Sequence, residues 1–421
     1  MRTRALVVVL AAAACGGDDP RMAAAWEESS SDGTGGDTSG AGVEDSSTTD
    51  LVDETSDDAA AESSSSGGDD PLPSGPATYP ADRVHSPITA SVADRLRTLA
   101  EAGPEHADDV FMKTGASTDV NTNNLYCFAT AGVDLGGRDD LADPLAFWLA
   151  GDAAGTTSFD RPSAATEVGR SAGWAIGGDP SPLVVELDAI APSVAFVHFG
   201  TNDMQLGVTP LTALPGFYEA MAELLDTLEM RGVVPVIVGM TRRGDDPDAD
   251  RFVATYNAVL RGLAQQRQVP WLDAHLAIDP LPGHGLGPDG LHLEAYEGGA
   301  CVLDRVGLGH GYNIRNLVQL EALARTQAVI VDGIDAIDVP DPTIVAPVGG
   351  GFADDPIVVG TLPFADSRDT AIDGEAGIDV YPGCDDSDES GPEIVYAIDG
   401  AAPTAVRVVV LDRIGVDVDV H

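Results

Sequence analysis

The stretch VAFVHFGTND, residues 194–203, decides the fold because it joins a buried strand to a polar turn. Residues 194–199 are apolar or aromatic apart from His198, which is typical of a strand covered on both faces. The sequence Gly-Thr-Asn-Asp then ends the strand and leaves polar groups at its carboxyl end. Such a strand predicts a parallel sheet with a functional loop at this edge.

Further strands and helices alternate along the chain on both sides of this stretch. The other predicted strands are residues 110–113, 233–240 and 269–273. The predicted helices, in which apolar residues recur every three or four positions, are residues 214–230, 248–267 and 313–327. Elements that alternate in this way need right-handed crossovers, so we predict a three-layer α/β/α fold built on a parallel sheet.

Three segments bring reactive side chains to the predicted carboxyl edge of the sheet, where ligands of such folds bind. Ser117 lies in a tight turn after the first predicted strand, and Asn202 follows the next one. Asp289 and His292 stand three positions apart in a loop rich in glycine and proline. Taken singly, Ser117 could cap a helix and the other segments could be ordinary turns. Their combination at one edge favours an active site.

The same segments, in this chain order, resemble the motif blocks of the GDSL-like or SGNH hydrolases, a family of serine esterases with a flavodoxin-like α/β/α fold. The sequence Gly-Thr-Asn-Asp is similar to the family's GxND block, and Asp-Gly-Leu-His is similar to its DxxH block. The resemblance covers roughly residues 105–330. It implies that Ser117 is the nucleophile, His292 the general base and Asp289 the acid that orients His292. The first block reads Gly-Ala-Ser at residues 115–117, where the family usually has Gly-Asp-Ser.

The resemblance also implies an oxyanion hole. Asn202 would donate from its side-chain amide, and Gly169 from its backbone N–H, with Gly173 as the competing position for the second donor. The sequence Gly-Arg-Ser at residues 169–171 is similar to that of pectin-type acetylesterases, which favours a carbohydrate ester as substrate.

These residue types suit ester hydrolysis on chemical grounds as well. A serine hydroxyl is a weak nucleophile until a base takes its proton, and imidazole is the side chain whose pKa suits that task. A carboxylate on the other ring nitrogen fixes the tautomer and stabilises the imidazolium. Neutral donors held around the negative oxygen stabilise the tetrahedral intermediate.

Other polar side chains near this edge have less specific patterns. His198 lies within a predicted strand, so we expect a buried core residue. Arg242 and Arg243 follow another strand and could meet a substrate acid or sugar hydroxyl, although ion pairs with Asp245 or Asp246 are favoured.

The charge of the chain excludes several classes of function. The sequence has 69 acidic and 22 basic residues and a formal net charge of −47. Phosphate backbones and anionic lipid surfaces repel such a polyanion, so we expect no nucleic-acid partner. No apolar run reaches the roughly 18 residues that a membrane span needs.

The amino-terminal residues indicate export. Arg2 and Arg4 precede an apolar core and Cys15, which resembles a bacterial lipoprotein signal over residues 1–15, with lipidation at Cys15. An ordinary cleaved signal is the alternative. Residues 16–80 contain 16 acidic and 1 basic side chains among serine and glycine, which predicts a disordered linker. Together these segments predict a membrane-anchored lipoprotein at the cell envelope or surface, which touches the membrane only through its lipid.

The remaining cysteines lie in the folded region. Cys127 and Cys301 are candidates for a disulfide, because export permits one, and two separate buried thiols are the alternative. Cys384 is then left without a partner in the sequence.

The hydrolase domain is predicted to span residues 81–335, and residues 336–421 carry short β-like runs between glycine, proline and aspartate turns. We expect a small, acidic all-β accessory domain there, folded as an antiparallel sandwich, and a truncated end is one interpretation of its last residues. Its aspartate clusters could bind calcium or be solvated acid.

The sequence therefore predicts an exported serine esterase that hydrolyses short-chain acyl or acetyl esters of small molecules or carbohydrates through an acyl-enzyme. The alternatives are an inactive, surface-anchored carbohydrate-binding protein on the same scaffold and a metal-dependent hydrolase that uses His292. We predict no cofactor and no metal site, and the sequence does not indicate an oligomeric state.

Overall fold

The structure is a computed structural model that describes residues 5–11, 75–103, 105–339, 349–360, 362–376, 391–398 and 406–411. The strands are β1 (Ala5–Ala11), β2 (Ala107–Gly115), β3 (Pro192–His198), β4 (Val234–Val238), β5 (Trp271–Leu272), β6 (Ile357–Val359), β7 (Phe364–Arg368), β8 (Tyr396–Ile398) and β9 (Val406–Leu411). The α-helices are α1 (Ala90–Glu101), α2 (Ser117–Val120), α3 (Ala142–Ala150), α4 (Ala172–Ile176), α5 (Pro182–Ile190), α6 (Pro210–Met230), α7 (Pro247–Asp250), α8 (Val253–Arg267), α9 (Ala274–Ile278), α10 (Gly311–Ile330) and α11 (Thr370–Asp373). Short 3₁₀ turns occupy Tyr126–Ala129, Asp139–Leu141, Asp203–Gln205, Pro282–Gly285 and Gly307–Gly309. Within these residues, no helix is both long and apolar enough to cross a bilayer.

The predicted parallel sheet is confirmed, with strand order β2-β3-β4-β5. All seven residues of β3 are buried, so helices must cover both faces of the sheet. In one group of helices, α10 packs against α1, α3 and α9. In another, α6 packs against α4 and α8. Gly115 of β2 lies level with His198 of β3. The turns that follow these two strands therefore meet at the same edge.

The helices follow the predicted pattern, with different ends. The helix predicted at residues 214–230, α6, begins four residues earlier than predicted. Thr209 caps it, and Pro210 occupies its first turn, where a missing N–H leaves no hydrogen bond unmade. The helix predicted at residues 248–267 is divided into α7 and α8. Asp250, at the end of α7, directs its carboxylate to Arg242 and to the backbone N–H of Arg243, which anchors α7 to the loop after β4.

A disulfide joins Cys127 to Cys301, with Cα atoms 5.6 Å apart. It links the segment that follows Ser117 to the segment that follows His292. Asn316 of α10 supports the same junction, because its side-chain amide donates to the carbonyl groups of Asn123 and Ala300.

The folded region begins earlier than predicted. Most of the predicted linker, residues 16–80, lies outside the described residues, but its last part packs on α8. Tyr79 is buried, and the backbone N–H groups of Ala77 and Tyr79 donate to the side chains of Gln268 and Gln265.

The predicted antiparallel sandwich within residues 336–421 is not what the described residues form. β7 and β9 pair through β1, antiparallel on both sides, and β6 and β8 form a separate parallel pair. β1 covers most of the apolar core of the predicted export signal. Because β1 supplies the central strand, β7 and β9 do not pair with each other. The strands also lie against α8, where Arg261 donates to the carbonyl of Pro363 and Gln265 to that of Ala365.

Lys113, in β2, is the only lysine in the chain, and its side chain is buried. Its amine donates to the carbonyl of Phe159 at 2.8 Å and lies 3.9 Å from the centre of the Tyr126 ring. Burial lowers the pKa of Lys113 to about 7, even though Asp119, Asp160 and Glu186 oppose the shift. The folded protein therefore releases this proton at a lower pH than the unfolded chain.

We expect the free energy of unfolding of the native protein to rise with pH above about 7, by up to about 1.4 kcal/mol per pH unit from this one group. The sign follows because the unfolded chain keeps the lysine proton to about pH 10.4, while the folded protein has lost it. Urea titrations at several pH values between about 7 and 9 would measure the slope. Lys113→Met should show a smaller slope, and identical slopes in the two proteins would contradict the prediction.

Candidate active site

Ser117 opens the turn after β2, at the carboxyl edge of the sheet. The preceding Gly115 has no room for a side chain, because an added Cβ would lie 2.2 Å from Oδ2 of Asp119 and 2.9 Å from the carbonyl oxygen of His198. The backbone therefore passes close to β3 before it turns. This close approach places the Ser117 hydroxyl beside the loop that follows β3.

Asp289 and His292 are held by a tight loop. One carboxylate oxygen of Asp289 accepts hydrogen bonds from the backbone N–H groups of Leu291 and His292, at 3.1 and 3.0 Å. The other oxygen lies 2.7 Å from Nδ1 of His292. The His292 hydrogen bond, aided by these backbone donors, outweighs a small effect of burial and lowers the pKa of Asp289 to about 2. Asp289 is therefore ionised at neutral pH.

Ser117 and His292 are in direct contact. The Ser117 hydroxyl lies 2.8 Å from Nε2 of His292. Because ionised Asp289 can only accept, Nδ1 of His292 carries the proton and Nε2 is free to accept from the serine. The structure thus joins the three residues predicted as a triad into one chain of hydrogen bonds, although they come from segments 175 residues apart.

The two predicted oxyanion residues lie on neighbouring loops. The side-chain amide of Asn202 donates to the carbonyl of Arg170 at 2.8 Å, which brings the Gly169 turn beside the loop after β3. Gly169 has φ +78°, a conformation that favours glycine. Among the described residues, no acceptor is bonded to the backbone N–H of Gly169 or of Ser117. Gly173 instead lies inside α4, so Gly169 is the better placed of the two glycines.

The side chain of Asp203 connects the Gly169 loop to the loop after β3. Its buried carboxylate accepts from the backbone N–H of Ala172 and of Gly200, both at 2.9 Å. Burial raises the pKa of Asp203 to about 6, and the two backbone donors oppose the shift. Asp203 therefore holds the Gly169 and Asn202 loops together without pointing at the reacting atoms.

A buried polar cluster lies under Ser117, and the sequence did not reveal it. The carboxylate of Asp119 lies 2.7 Å from Nδ1 of His198 and 2.9 Å from a guanidinium nitrogen of Arg315. Asn124 completes the cluster by accepting from Arg315 at 3.0 Å. The only sequence signals were an acid two residues after the predicted nucleophile and an arginine within an apolar helix. His198 is buried, as predicted, and it also lines the pocket described next.

A pocket of about 410 Å³, including the solvent at its mouth, opens at this edge of the sheet. Ser117, His292, Asn202 and Arg170 line it together with His198. Ser117 and His292 therefore face one common space that a substrate can enter.

The two arginines after β4 are mainly engaged with carboxylates. Arg243 pairs with Asp245 at 2.8 Å, as the sequence favoured. Arg242 also lines the pocket but pairs with Asp250 and Asp279 rather than with Asp245 or Asp246. In the part of the chain that the structure describes, no group of three or more histidine, cysteine or acidic side chains could hold a metal ion. The aspartate clusters considered for calcium, at residues 385–388 and 417–419, lie outside that part.

Part of the chain is similar to a known protein family. Residues 130–296 match the family model of GDSL-like lipases and acylhydrolases, a range that includes Asn202, Asp289 and His292 and that begins after Ser117. No functionally curated protein matches the chain.

Solved structures from several bacteria are also similar. A GDSL-like lipase from Bacteroides thetaiotaomicron is 12% identical, with a TM-score of 0.32 over 55% of this chain and 98% of that chain. An acetylxylan esterase from Geobacillus stearothermophilus, solved as a catalytic mutant, is 12% identical, with a TM-score of 0.34 over 52% and 95%. A lipase/acylhydrolase from Enterococcus faecalis is 14% identical, with a TM-score of 0.31 over 51% and 94%.

Replacing Asp203 tests whether it holds the two oxyanion loops. Asp203→Ala should lower the free energy of unfolding by about 2–4 kcal/mol, because it leaves two buried N–H groups without acceptors. Urea unfolding would measure the loss. Asp203→Asn keeps one side-chain oxygen and is the matched control, for which we expect a smaller loss. Equal stability of the alanine variant and the native protein would refute this role.

Proposed function

We propose that this chain is a GDSL-like acylhydrolase, an exported serine esterase in which Ser117, His292 and Asp289 cleave short-chain acyl esters. The match of residues 130–296 to the model of GDSL-like lipases and acylhydrolases supports hydrolysis of an ester bond. The observation that carries the residue assignment is the hydrogen-bond chain from the Ser117 hydroxyl through His292 to Asp289, at 2.8 and 2.7 Å.

In the first half of the reaction, the Ser117 oxygen attacks the carbonyl carbon of the ester. Its proton moves to Nε2 of His292, and ionised Asp289 stabilises the imidazolium that results. The carbonyl oxygen becomes negative and would be held by the N–H groups of Ser117 and Gly169 and the amide of Asn202. Removing one such donor typically costs about 3–4 kcal/mol in the transition state.

In the second half, the tetrahedral intermediate collapses. The bond to the leaving alcohol breaks, and His292 returns the proton to the alcohol oxygen as it departs. A water molecule then attacks the acyl-Ser117 ester, with His292 again taking the proton. Release of the carboxylic acid restores the Ser117 hydroxyl.

The substrate that we propose is an acetyl or other short acyl ester of a small molecule or carbohydrate. Arg170 lines the pocket, with its guanidinium carbon 5.4 Å from the centre of the Trp174 ring, and its N–H groups can donate to a sugar hydroxyl. The resemblance of residues 169–171 to pectin-type acetylesterases points in the same direction.

The export proposal rests on the amino-terminal sequence and on the disulfide. Disulfides form in oxidising compartments, and Cys127 is bonded to Cys301. Lipidation at Cys15 requires that residues 1–14 be removed. Because these residues include β1, the processed protein would lose the central strand between β7 and β9.

Ser117→Ala should abolish hydrolysis of a 4-nitrophenyl acetate substrate, lowering kcat by about 10⁴-fold or more, because the nucleophile is lost. Ser171→Ala removes a nearby hydroxyl outside the triad and is the matched control, which should keep its activity. A fluorophosphonate probe should label Ser117 in the native protein and nothing in Ser117→Ala. Absence of labelling in the native protein, together with absence of turnover, would favour an inactive carbohydrate-binding protein on this scaffold.

Replacing Cys15 tests the lipid anchor. In a bacterial host fed a labelled fatty acid, the native protein should take up label and remain with the membrane fraction, because a diacyl anchor supplies enough apolar area to hold it there. Cys15→Ser should do neither, and Cys384→Ser should behave like the native protein. A native protein that carries no label and retains residues 1–14, as measured by intact mass, would contradict the proposal.

A further inference from the structure

A second histidine stands beside the predicted nucleophile. His198 is the last residue of β3 and lies level with Gly115, two residues before Ser117. Its side chain is only 8% exposed, yet it lines the same pocket as Ser117 and His292. The triad does not use this imidazole, because the Ser117 hydroxyl already donates to His292.

Asp119 lies between two partners, with Nδ1 of His198 at 2.7 Å and a guanidinium nitrogen of Arg315 at 2.9 Å. Burial would raise the pKa of Asp119, but His198 and Arg315 outweigh burial and hold that pKa below its usual value. Burial and the positive charge of Arg315 lower the pKa of His198, against the pull of Asp119. The arrangement that follows is an ion pair between Asp119 and Arg315 beside a neutral imidazole.

The Asp119 contact also sets the tautomer of His198. An ionised carboxylate can only accept, so Nδ1 of His198 carries the ring proton and donates to Asp119 over 2.7 Å. Nε2 is then an unprotonated acceptor. Because Nδ1 is directed at a buried carboxylate, the ring edge that carries Nε2 is the one left for the pocket. No donor among the described residues is bonded to this nitrogen.

Arg170, Arg242 and Asn202 present donors to the pocket, and the proposed oxyanion hole consists of donors as well. The threonine hydroxyls that line the pocket can donate or accept, whereas Nε2 of His198, with the ring proton on Nδ1, can only accept. A purely alkyl ester would cover Nε2 without giving it a hydrogen bond, and leaving a buried polar atom unpaired is costly. A substrate hydroxyl would satisfy it.

We propose that Nε2 of His198 accepts a hydrogen bond from a hydroxyl group that the ester substrate carries next to its scissile bond. This inference rests on the proposed function and deepens it, since it selects hydroxylated esters, such as those of carbohydrates, over plain alkyl esters. Asp119 and Arg315 act as positioning residues, because they hold the tautomer that presents the acceptor. The hydroxyl can lie on the alcohol side or the acyl side of the ester, and the test separates the two.

The test compares pairs of esters that differ only by a hydroxyl in place of a methyl group. On the alcohol side the pair is 2-hydroxyethyl acetate and propyl acetate, and on the acyl side it is ethyl glycolate and ethyl propionate. For at least one pair, the native protein should prefer the hydroxylated member by about fivefold in kcat/KM beyond the ratio of their rates in hydroxide hydrolysis, as expected for one hydrogen bond. A native protein without such a preference in either pair would overturn the proposal.

His198→Asn removes the acceptor and keeps an N–H that can reach Asp119. The ratio of kcat/KM for the hydroxylated ester to that for its methyl counterpart, corrected for hydroxide hydrolysis, should therefore fall to about one. His198→Gln carries an amide oxygen further into the pocket and should recover part of the preference. A preference that survives unchanged in His198→Asn would overturn the proposal, even if both rates fall.

Fluorophosphonate labelling of Ser117 separates this inference from the proposed function. Labelling of the native protein without any preference for the hydroxylated esters removes the role of His198 and leaves the esterase intact. If the native protein is not labelled and hydrolyses neither pair of esters, both the proposed esterase function and the role of His198 are contradicted. Near-ultraviolet circular dichroism of each variant checks that it is folded, and either variant of His198 is sufficient for the comparison with the native protein.

Discussion

The buried ion pair between Asp119 and Arg315 is the interaction on which the site depends most. It joins the turn that carries Ser117 to α10, and both side chains are almost completely excluded from solvent, at 1% and 0% exposure. Such a pair is not itself a large source of stability, because both charges lose their hydration, but either charge left alone would be strongly unfavourable. The pair therefore allows one arrangement of α2 on α10, and that arrangement also sets the tautomer of His198. The next residue of α10, Asn316, supports the disulfide junction, so one helix positions the segments that follow both Ser117 and His292.

Carboxylates and backbone N–H groups organise the rest of the site. Asp203 binds two N–H groups and joins the loops of Gly169 and Asn202. Asp289 binds two others with one oxygen and keeps the second for His292. In a chain with a net charge of −47, this use of acids leaves neutral donors facing the pocket, where a developing negative oxygen needs them.

Much of the fold and of the triad could be predicted from local patterns. β3 is recognisable because its residues are apolar on both faces, and the polar turn after it falls at the sheet edge that any parallel strand would provide. The triad could be predicted because each member lies in a short motif with a chemical purpose. Asp119 and Arg315 could not be paired, since 196 residues separate them and nothing in either neighbourhood indicates the other. The sequence did not indicate that residues 5–11 would pair with β7 and β9, because an apolar strand and the core of an export signal have the same composition.

By itself, the sequence determined the parallel sheet and the order along the chain of Ser117, Asp289 and His292, the residues of the proposed triad, because these depend on periodicity and on residue type. Only the tertiary structure decided which remote residues are joined by a hydrogen bond or a disulfide. The 2.8 Å contact of Ser117 with His292, the choice of Gly169 over Gly173, the pairing of Cys127 with Cys301 and the placing of His198 in the pocket all depend on the register of β2 against β3 and on the packing of α10. These are distances between remote segments, and distances of that kind are set by the burial of the whole core rather than by any short stretch of chain.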